Sequence, residues 1–383
     1  MLGEILIFDQ PNDIIRYRYL IFRLKSFKFE FLGALSNFVS DKIVEAQFDK
    51  YLLGIDFGKH DDEIVKFGLL GKPVISNSNY PNCVGYESIK EIITFINTYV
   101  TNNKEYEEII KDSVQKFLEG IEPENIVVSI PSLKRHSILK LNVNLLKLQT
   151  MKCIVVCILD IDDQYDDIVG DNIYVVRRKE IKPLGMKRQI GLNYCRFFYP
   201  KKVMIHGSDD LLSLGWIEYI SKEMEDYDQI GARNWLMYDE TNKQMYKMEY
   251  ENMGRMLGAG MMIDHKILNK INWCYFPYAA GATLDGSSTS KLQRNGGRSK
   301  VITCNLDTNF VLSYKGSWFV INKTSNCIKS RNIICSKITN FMTNLTLEDH
   351  EIIIANFISD FEKNNCQNIE NEESICDDID ICK

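Results

Sequence analysis

With 383 residues, 45% of them hydrophobic and 26% charged, the chain is long enough for two domains and is composed like a globular protein, which excludes a fibrous or wholly disordered one. A formal net charge of −6 argues against a general nucleic-acid binder. The 11 cysteines include no C-x-x-C pair, which argues against a zinc site and fits small buried thiols in a reducing compartment.

The amino terminus, Met1 to Ile5, carries no basic leader, and no run reaches the ~18 apolar residues of a membrane span, so a cytoplasmic location and no transmembrane segment are expected. Short apolar runs at Glu4–Phe8 and Phe29–Gly33 read as strands, and Ser40–Lys50 as a helix. Tyr51–Ile55 reads as a strand ending in Gly54-Ile55-Asp56-Phe57-Gly58, Asp61–Leu70 as a helix and Lys72–Ser76 as a strand. Ser88–Tyr99 and Glu105–Glu119 are amphipathic helices. Strands alternating with helices predict βαβ units and a mostly parallel sheet. Gly120 to Asn125 breaks the last helix, which predicts a smaller Rossmann-like α/β module over residues 1–122.

A second α/β unit is expected over residues 123–340. Asn125–Pro131 is its first strand, followed by a helix over His136–Leu148 and a strand over Cys153–Leu159 that ends at Asp160. Ile173–Val176 is a further strand, and Gly185–Phe198 a helix. Val203–Ile205 is a buried strand running into Gly207-Ser208-Asp209-Asp210. Gly281–Arg298, rich in Gly, Ser and Thr, predicts a mobile loop, and Tyr314–Ile321 a strand. Residues 341–383 predict a helix over Leu345–Lys363 and an acidic, poorly ordered tail.

Two carboxylates at the end of a buried strand stand where open α/β sheets bind ligands. Adjacent like charges repel, and a divalent cation relieves the repulsion. Asp209 and Asp210 therefore point to Mg²⁺ or Mn²⁺ bridging protein to a diphosphate. The plainer alternative has Asp209 capping a following helix and Asp210 in solvent.

From Asn125 to Ile321 the chain resembles a GT-A-fold glycosyltransferase of the family-2 type. Val127-Val128-Ser129-Ile130-Pro131 resembles the first strand, and Ile154 to Asp160 the second, whose terminal acid lies near the nucleoside. Lys182 to Leu192 resembles the helix N-x-G-x-x-x-A-R-N-x-G under the donor, and Met204 to Leu212 the strand carrying D-x-D, with Gly207 where the first acid would stand. Leu257 to Ile263 resembles the acceptor-side segment. Ala282-Thr283-Leu284-Asp285-Gly286 resembles the segment bearing the catalytic base, with Leu-Asp in place of Glu-Asp. More faintly, Gly54 to Ser76 and the two helices after it resemble one nucleotide-binding half of a GT-B glycosyltransferase.

The resemblance implies a nucleoside-diphosphate sugar donor, a glycan or glycoprotein acceptor, a divalent cation and inversion at the anomeric carbon. It assigns Asp285 as base and Asp209 with Asp210 to the metal. Ser129, Pro131, Arg135, Asp160, Lys187, Arg188, Ser208 and Asp209 fall on the donor side, and Arg255 and Trp273 on the acceptor side. Each has a plainer reading: Asp160 caps a turn, Lys187 and Arg188 form a solvated helix face, Asp285-Gly286 is turn chemistry, and Trp273 is core. A nucleotidyltransferase shares the acidic α/β site, but Ser132-Leu133-Lys134-Arg135-His136 lacks the glycines of its phosphate loop. A non-catalytic nucleotide- or sugar-binding protein is the rival of a different class, favoured by the altered D-x-D. The abundance of Asn, Ile and Lys fits an AT-rich genome of a microbe or large virus.

Overall fold

The computed structural model describes residues 3–8, 20, 22–31, 51–57, 60–99, 104–132, 136–160, 168, 170–178, 182–239, 244–252, 254–277, 284–315 and 333–337. The predicted helices over Ser40–Lys50 and Leu345–Lys363, the acidic tail and residues 316–321 lie outside them.

Strands β1 (Gly3–Ile7), β2 (Phe27–Phe31), β3 (Tyr51–Ile55), β4 (Val74–Ile75) and β5 (Cys83–Val84) form a parallel sheet in the order β2-β1-β3-β4-β5. The period-2 alternation of strand side chains sends Ile5, Ile7, Leu53 and Ile55 to one face and Leu6 and Phe8 to the other, and the register shift opposite Glu4 and Ile5 puts Tyr51 on that second face as well. Helix α1 (Asp61–Leu69) covers the second face with Ile64 and Phe67. Helices α2 (Ile89–Tyr99) and α3 (Lys104–Leu118) cover the first with Ile92, Ile96, Tyr106 and Ile110. Burial on both faces explains why these strands read as continuous apolar runs. Past α3, Gly120 takes a φ of 70°, a left-handed turn that glycine adopts without strain.

The chain then lays down β6 (Ile126–Pro131), α4 (His136–Lys147), β7 (Ile154–Asp160), β8 (Ile173–Arg178), α5 (Leu184–Arg196) and β9 (Lys202–Ile205). It continues through β10 (Asp210–Leu212), α6 (Trp216–Glu223), β11 (Gln229–Ala232), β12 (Asn234–Asp239), β13 (Gln244–Tyr250) and β14 (Met261–Asp264). Helices α7 (His265–Lys270) and α8 (Leu284–Arg294) follow, then β15 (Ser299–Ile302), β16 (Val311–Lys315) and β17 (Ile333–Lys337). The large sheet has the order β15-β11-β14-β9-β6-β7-β8, with β14 antiparallel to both of its neighbours and every other pairing parallel. Strand order reverses between β6 and β9, and such a switch point opens a crevice at the carboxyl ends of the strands. A smaller mixed sheet, β10-β16-β12-β13-β17, stands beside it.

Helix α5 lies close against the large sheet because Gly191 has no side chain: a Cβ there would come within 2.5 Å of the Ser129 hydroxyl. One apolar core runs from Ile5 and Ile7 through Ile96 and Tyr106 to Ile158 and Tyr194, so the first sheet and the large sheet share it through α2, α3 and α5.

Two expectations are corrected. The predicted loop over Gly281–Arg298 contains α8 and runs up to β15. Its Leu284, Ser288 and Leu292, four residues apart, bury one helical face, and this tertiary packing outweighs the weak helix propensity of the Gly-Ser-Thr run. Asp209 also does not cap a following helix, because the chain passes directly from Asp210 into β10, and both acids are buried.

Candidate functional site

The crevice at the switch point is lined first by a buried ion pair. Asp160 closes β7, and Lys187, from the first turns of α5, reaches it at 2.6 Å (Nζ to Oδ1). The same ammonium donates to the Ser132 carbonyl at the exit of β6. Lys187 and Asp160 are 4% and 7% exposed, so Lys187 is not part of a solvated helix face. A pair this dry persists only where further hydrogen bonds satisfy it, as the Ser132 carbonyl does.

The exit of β9 forms the next wall. The His206 amide donates to the Ser129 carbonyl at 3.1 Å, continuing the parallel ladder by one residue. Buried Asn142 of α4 donates to the Gly207 carbonyl at 2.8 Å and pairs with His206 Nε2 at 3.1 Å. Burial pushes the His206 imidazole down to about 4, so it is neutral at physiological pH. Beside it, Asp210 fills the space that a side chain at Gly207 would take. A Cβ at 207 would overlap Asp210 Oδ2 and lie 3.3 Å from Asp209 Oδ1. The two carboxylates thus converge on the space that a first acid would have taken. Ser313 of β16 donates its hydroxyl to Asp210 Oδ1, and the Tyr314 amide donates to the Asp209 carbonyl at 2.7 Å.

The third element is Asp285, in the first turn of α8. Arg188, next to Lys187 on α5, donates to it at 2.9 Å (Nη1 to Oδ1). The carboxylate sits where Gly258 lacks a Cβ, and the Arg188 guanidinium lies 5.7 Å from the centre of the Phe276 ring. Asp209 and Arg188 act on the same imidazole, His206, with opposite sign. Arg188 is the residue of this group that also reaches Asp285.

The remaining expected residues divide. Ser208 is buried beside Asp209, and Pro131 ends β6 at the crevice. Ser129 packs its hydroxyl against Gly191 inside the β6–α5 contact, and its carbonyl holds the His206 amide. Trp273 is corrected. It is 2% exposed, its indole N–H donates to Asn269 at 2.7 Å and the Arg196 guanidinium covers its ring at 5.5 Å, so no sugar can stack on it. Arg255 is exposed in the turn before Met256. Arg135 lies outside the described residues.

Three site residues carry no mark in the sequence. Asn142 and Ser313 touch the acid-bearing loop from 65 and 103 residues away. Gln189 follows Arg188 in the helix motif, and that adjacency was the one available signal. Among the described residues no group of three or more His, Cys, Asp or Glu side chains is placed to hold a metal, and no helix is long and apolar enough to cross a membrane.

No protein-family model and no curated protein matches the chain. Among solved structures it is similar to a fragment of S. aureus TarS in complex with UDP-GlcNAc, at 17% identity and a TM-score of 0.40, over 50% of this chain and 59% of that one. The same fragment in complex with UDP aligns over 64% of this chain and 74% of that one, at 17% identity and a TM-score of 0.38. A further S. aureus TarS structure aligns over 66% and 46%, at 15% identity and a TM-score of 0.39. In the first of these alignments the chain spans 59% of the TarS fragment's length.

Proposed function

We propose that the chain is a glycosyltransferase that moves a sugar from a nucleoside-diphosphate sugar to an acceptor hydroxyl, with residues 123–340 carrying the reaction. The observation that carries this reading is the convergence of Asp209 and Asp210 on the side-chain-free position of Gly207, at the switch point of a mostly parallel sheet, together with the Arg188–Asp285 pair. The sequence resemblance to GT-A glycosyltransferases adds the order in which these residues occur.

The donor set suits a hard divalent cation. Mg²⁺ and Mn²⁺ sites in phosphate-handling proteins commonly use one or two carboxylates and take their remaining oxygens from phosphate and water. Two convergent carboxylates match that pattern. Asp209 and Asp210 would hold the ion, and when bound it supplies Lewis-acid stabilisation of the leaving diphosphate.

The chain's own groups do the rest. Asp160, tied to Lys187, would contact the nucleoside, and the Ser132 carbonyl fixes the lysine that holds it. Asp285 accepts the proton of the acceptor hydroxyl as that oxygen bonds to the anomeric carbon. The bond from that carbon to the diphosphate oxygen breaks, and the nucleoside diphosphate leaves with the electron pair. Attack from the face opposite the leaving group inverts the anomeric configuration. Arg188 orients the base through its 2.9 Å hydrogen bond.

The test is a panel of UDP-glucose, UDP-galactose, UDP-GlcNAc and GDP-mannose with Mn²⁺, followed by assay of free nucleoside diphosphate. Release that depends on Mn²⁺ and disappears in Asp285→Asn supports the proposal. Pyrophosphate release, with a nucleoside triphosphate and a sugar phosphate supplied, would make the chain a nucleotidyltransferase. Binding of a nucleotide sugar with no turnover would make it a binding protein.

A further inference from the structure

The segment from Asn272 to Phe276 is strained and clamped from two sides. Asn272 and Trp273 are consecutive non-glycine residues in the left-handed region, at φ 50° and 59°. Such backbone persists only where its surroundings over-determine it. On one side is Gln189, 1% exposed, with its whole amide engaged. Its Nε2 donates to the Trp273 carbonyl at 2.7 Å and to Asn193 Oδ1 at 3.1 Å. Its Oε1 accepts from the Tyr275 and Phe276 amides at 3.0 and 2.9 Å.

On the other side is the first sheet. Gly85, just past β5, lies so close to the segment that a Cβ would overlap the Asn272 carbonyl oxygen. Arg196, the last residue of α5, spreads over the Trp273 ring and donates to the Ser78 carbonyl at 2.6 Å, in the loop after β4. Glu87, two residues beyond Gly85, pairs with Lys291 of α8. The segment leads through Phe276, under the Arg188 guanidinium, toward the helix that carries Asp285.

The loops after β4 and β5 leave the carboxyl edge of a parallel sheet, where such sheets bind ligands. Here they are occupied by α5, by the strained segment and by α8. We infer that the first sheet serves as a brace for the acceptor side of the reaction centre, and that Gln189 and Gly85 are positioning residues that set Asp285 by fixing residues 272–276. The inference rests on the proposed glycosyltransferase reading in taking Asp285 as the base.

The experiment compares the full-length wild type with Gln189→Met, Gln189→Glu and Gly85→Ala. Peptide-resolved hydrogen exchange covers 272–294, with β6 and β7 as internal reference. The same UDP- and GDP-sugar panel with Mn²⁺ gives kcat and donor binding. Gln189→Met keeps length but removes all four hydrogen bonds. Exchange over 272–294 should rise about ten-fold and kcat should fall about ten-fold or more, since small displacements of a reacting group are costly in rate, with donor affinity kept within about two-fold. Gly85→Ala should do the same from the other side. Gln189→Glu keeps the two accepted bonds but sets a buried carboxylate oxygen against the Trp273 carbonyl and Asn193 Oδ1, so exchange should rise and kcat fall as in Gln189→Met.

Variants that turn over at the wild-type rate, or that lose rate with no change in exchange over α8, overturn the brace. If Gln189→Met fails to fold, Gly85→Ala and Gln189→Glu decide by the same criteria. A wild type that releases no nucleoside diphosphate while the variants show the expected exchange overturns the transferase reading and leaves the clamp standing. A wild type that turns over alongside equally active variants removes the clamp alone.

Discussion

Arg188 and Asp285 are separated by 97 residues of chain and meet at 2.9 Å, Nη1 to Oδ1. The contact joins the helix beneath the crevice to the first turn of α8, which the composition of Gly281–Arg298 does not announce. If Asp285 takes the acceptor proton, Asp285→Asn keeps the shape and one acceptor for Arg188 but removes the base. Sugar transfer should fall by about 10²–10⁴-fold, the usual worth of a positioned acid or base, while donor affinity stays unchanged. Steady-state kinetics beside calorimetric titration of the donor check both halves.

The missing side chain at Gly207 yields a second expectation. A Cβ there overlaps Asp210 Oδ2, so Gly207→Ala must displace a carboxylate while leaving both acids in the chain. Asp209→Asn and Asp210→Asn remove the charges directly. All three should abolish the Mn²⁺-dependent part of the thermal stabilisation by UDP or GDP, which for the wild type reaches about 2.7 kcal/mol at a hundred-fold excess over Kd. A full Mn²⁺-dependent shift in Gly207→Ala would show that the cation is held elsewhere.

How much of this could be read beforehand follows from range. The strands at Ile126–Pro131, Ile154–Asp160 and Lys202–Ile205 are apolar runs ended by Pro, Asp and Gly, and they stand within a residue of where their composition puts them. Asp209, Asp210 and Asp160 were legible because a carboxylate at the end of a buried strand is conspicuous. Helix α8 was not, because only Leu284 and Leu292 mark its buried face and the residues between them are poor helix formers. Trp273 misled for the opposite reason: an aromatic in a loop-like stretch suggests a sugar platform, and only coordinates reveal Arg196 across its ring. Gln189, Asn142 and Ser313 act through partners at least 64 residues distant, and no local pattern encodes such pairings.

The Lys187–Asp160 pair separates stability from binding. Its side chains are 5% and 10% exposed, so Lys187→Met strands a buried carboxylate and frees the Ser132 carbonyl. Removing one partner of a buried pair costs about 3–5 kcal/mol. The double variant Lys187→Met, Asp160→Leu buries no charge and should recover most of that stability. If Asp160 contacts the nucleoside, the double variant should be well folded yet weak in donor binding. Urea unfolding and donor titration on the same samples measure the two effects independently.

His206 gives the stability a pH signature. Its imidazole is fully buried, and burial moves its pKa from 6.5 to about 4, against the opposing pull of Asp209. As pH falls through 6.5 the unfolded chain binds a proton at this residue that the folded chain refuses until about 4. The contribution of His206 is therefore complete above 6.5, erodes as pH drops and is gone below about 4. At ~1.4 kcal/mol per unit, the loss between pH 7 and pH 5 is about 2 kcal/mol. His206→Gln is uncharged at both values and keeps a donor for Asn142. Carboxylates titrating in the same window affect both proteins alike, so the wild type should lose about 2 kcal/mol more than His206→Gln between the two pH values. Equal losses would mean that the imidazole takes its proton inside the fold, and that a cation beside Asp209 has a titrating neighbour.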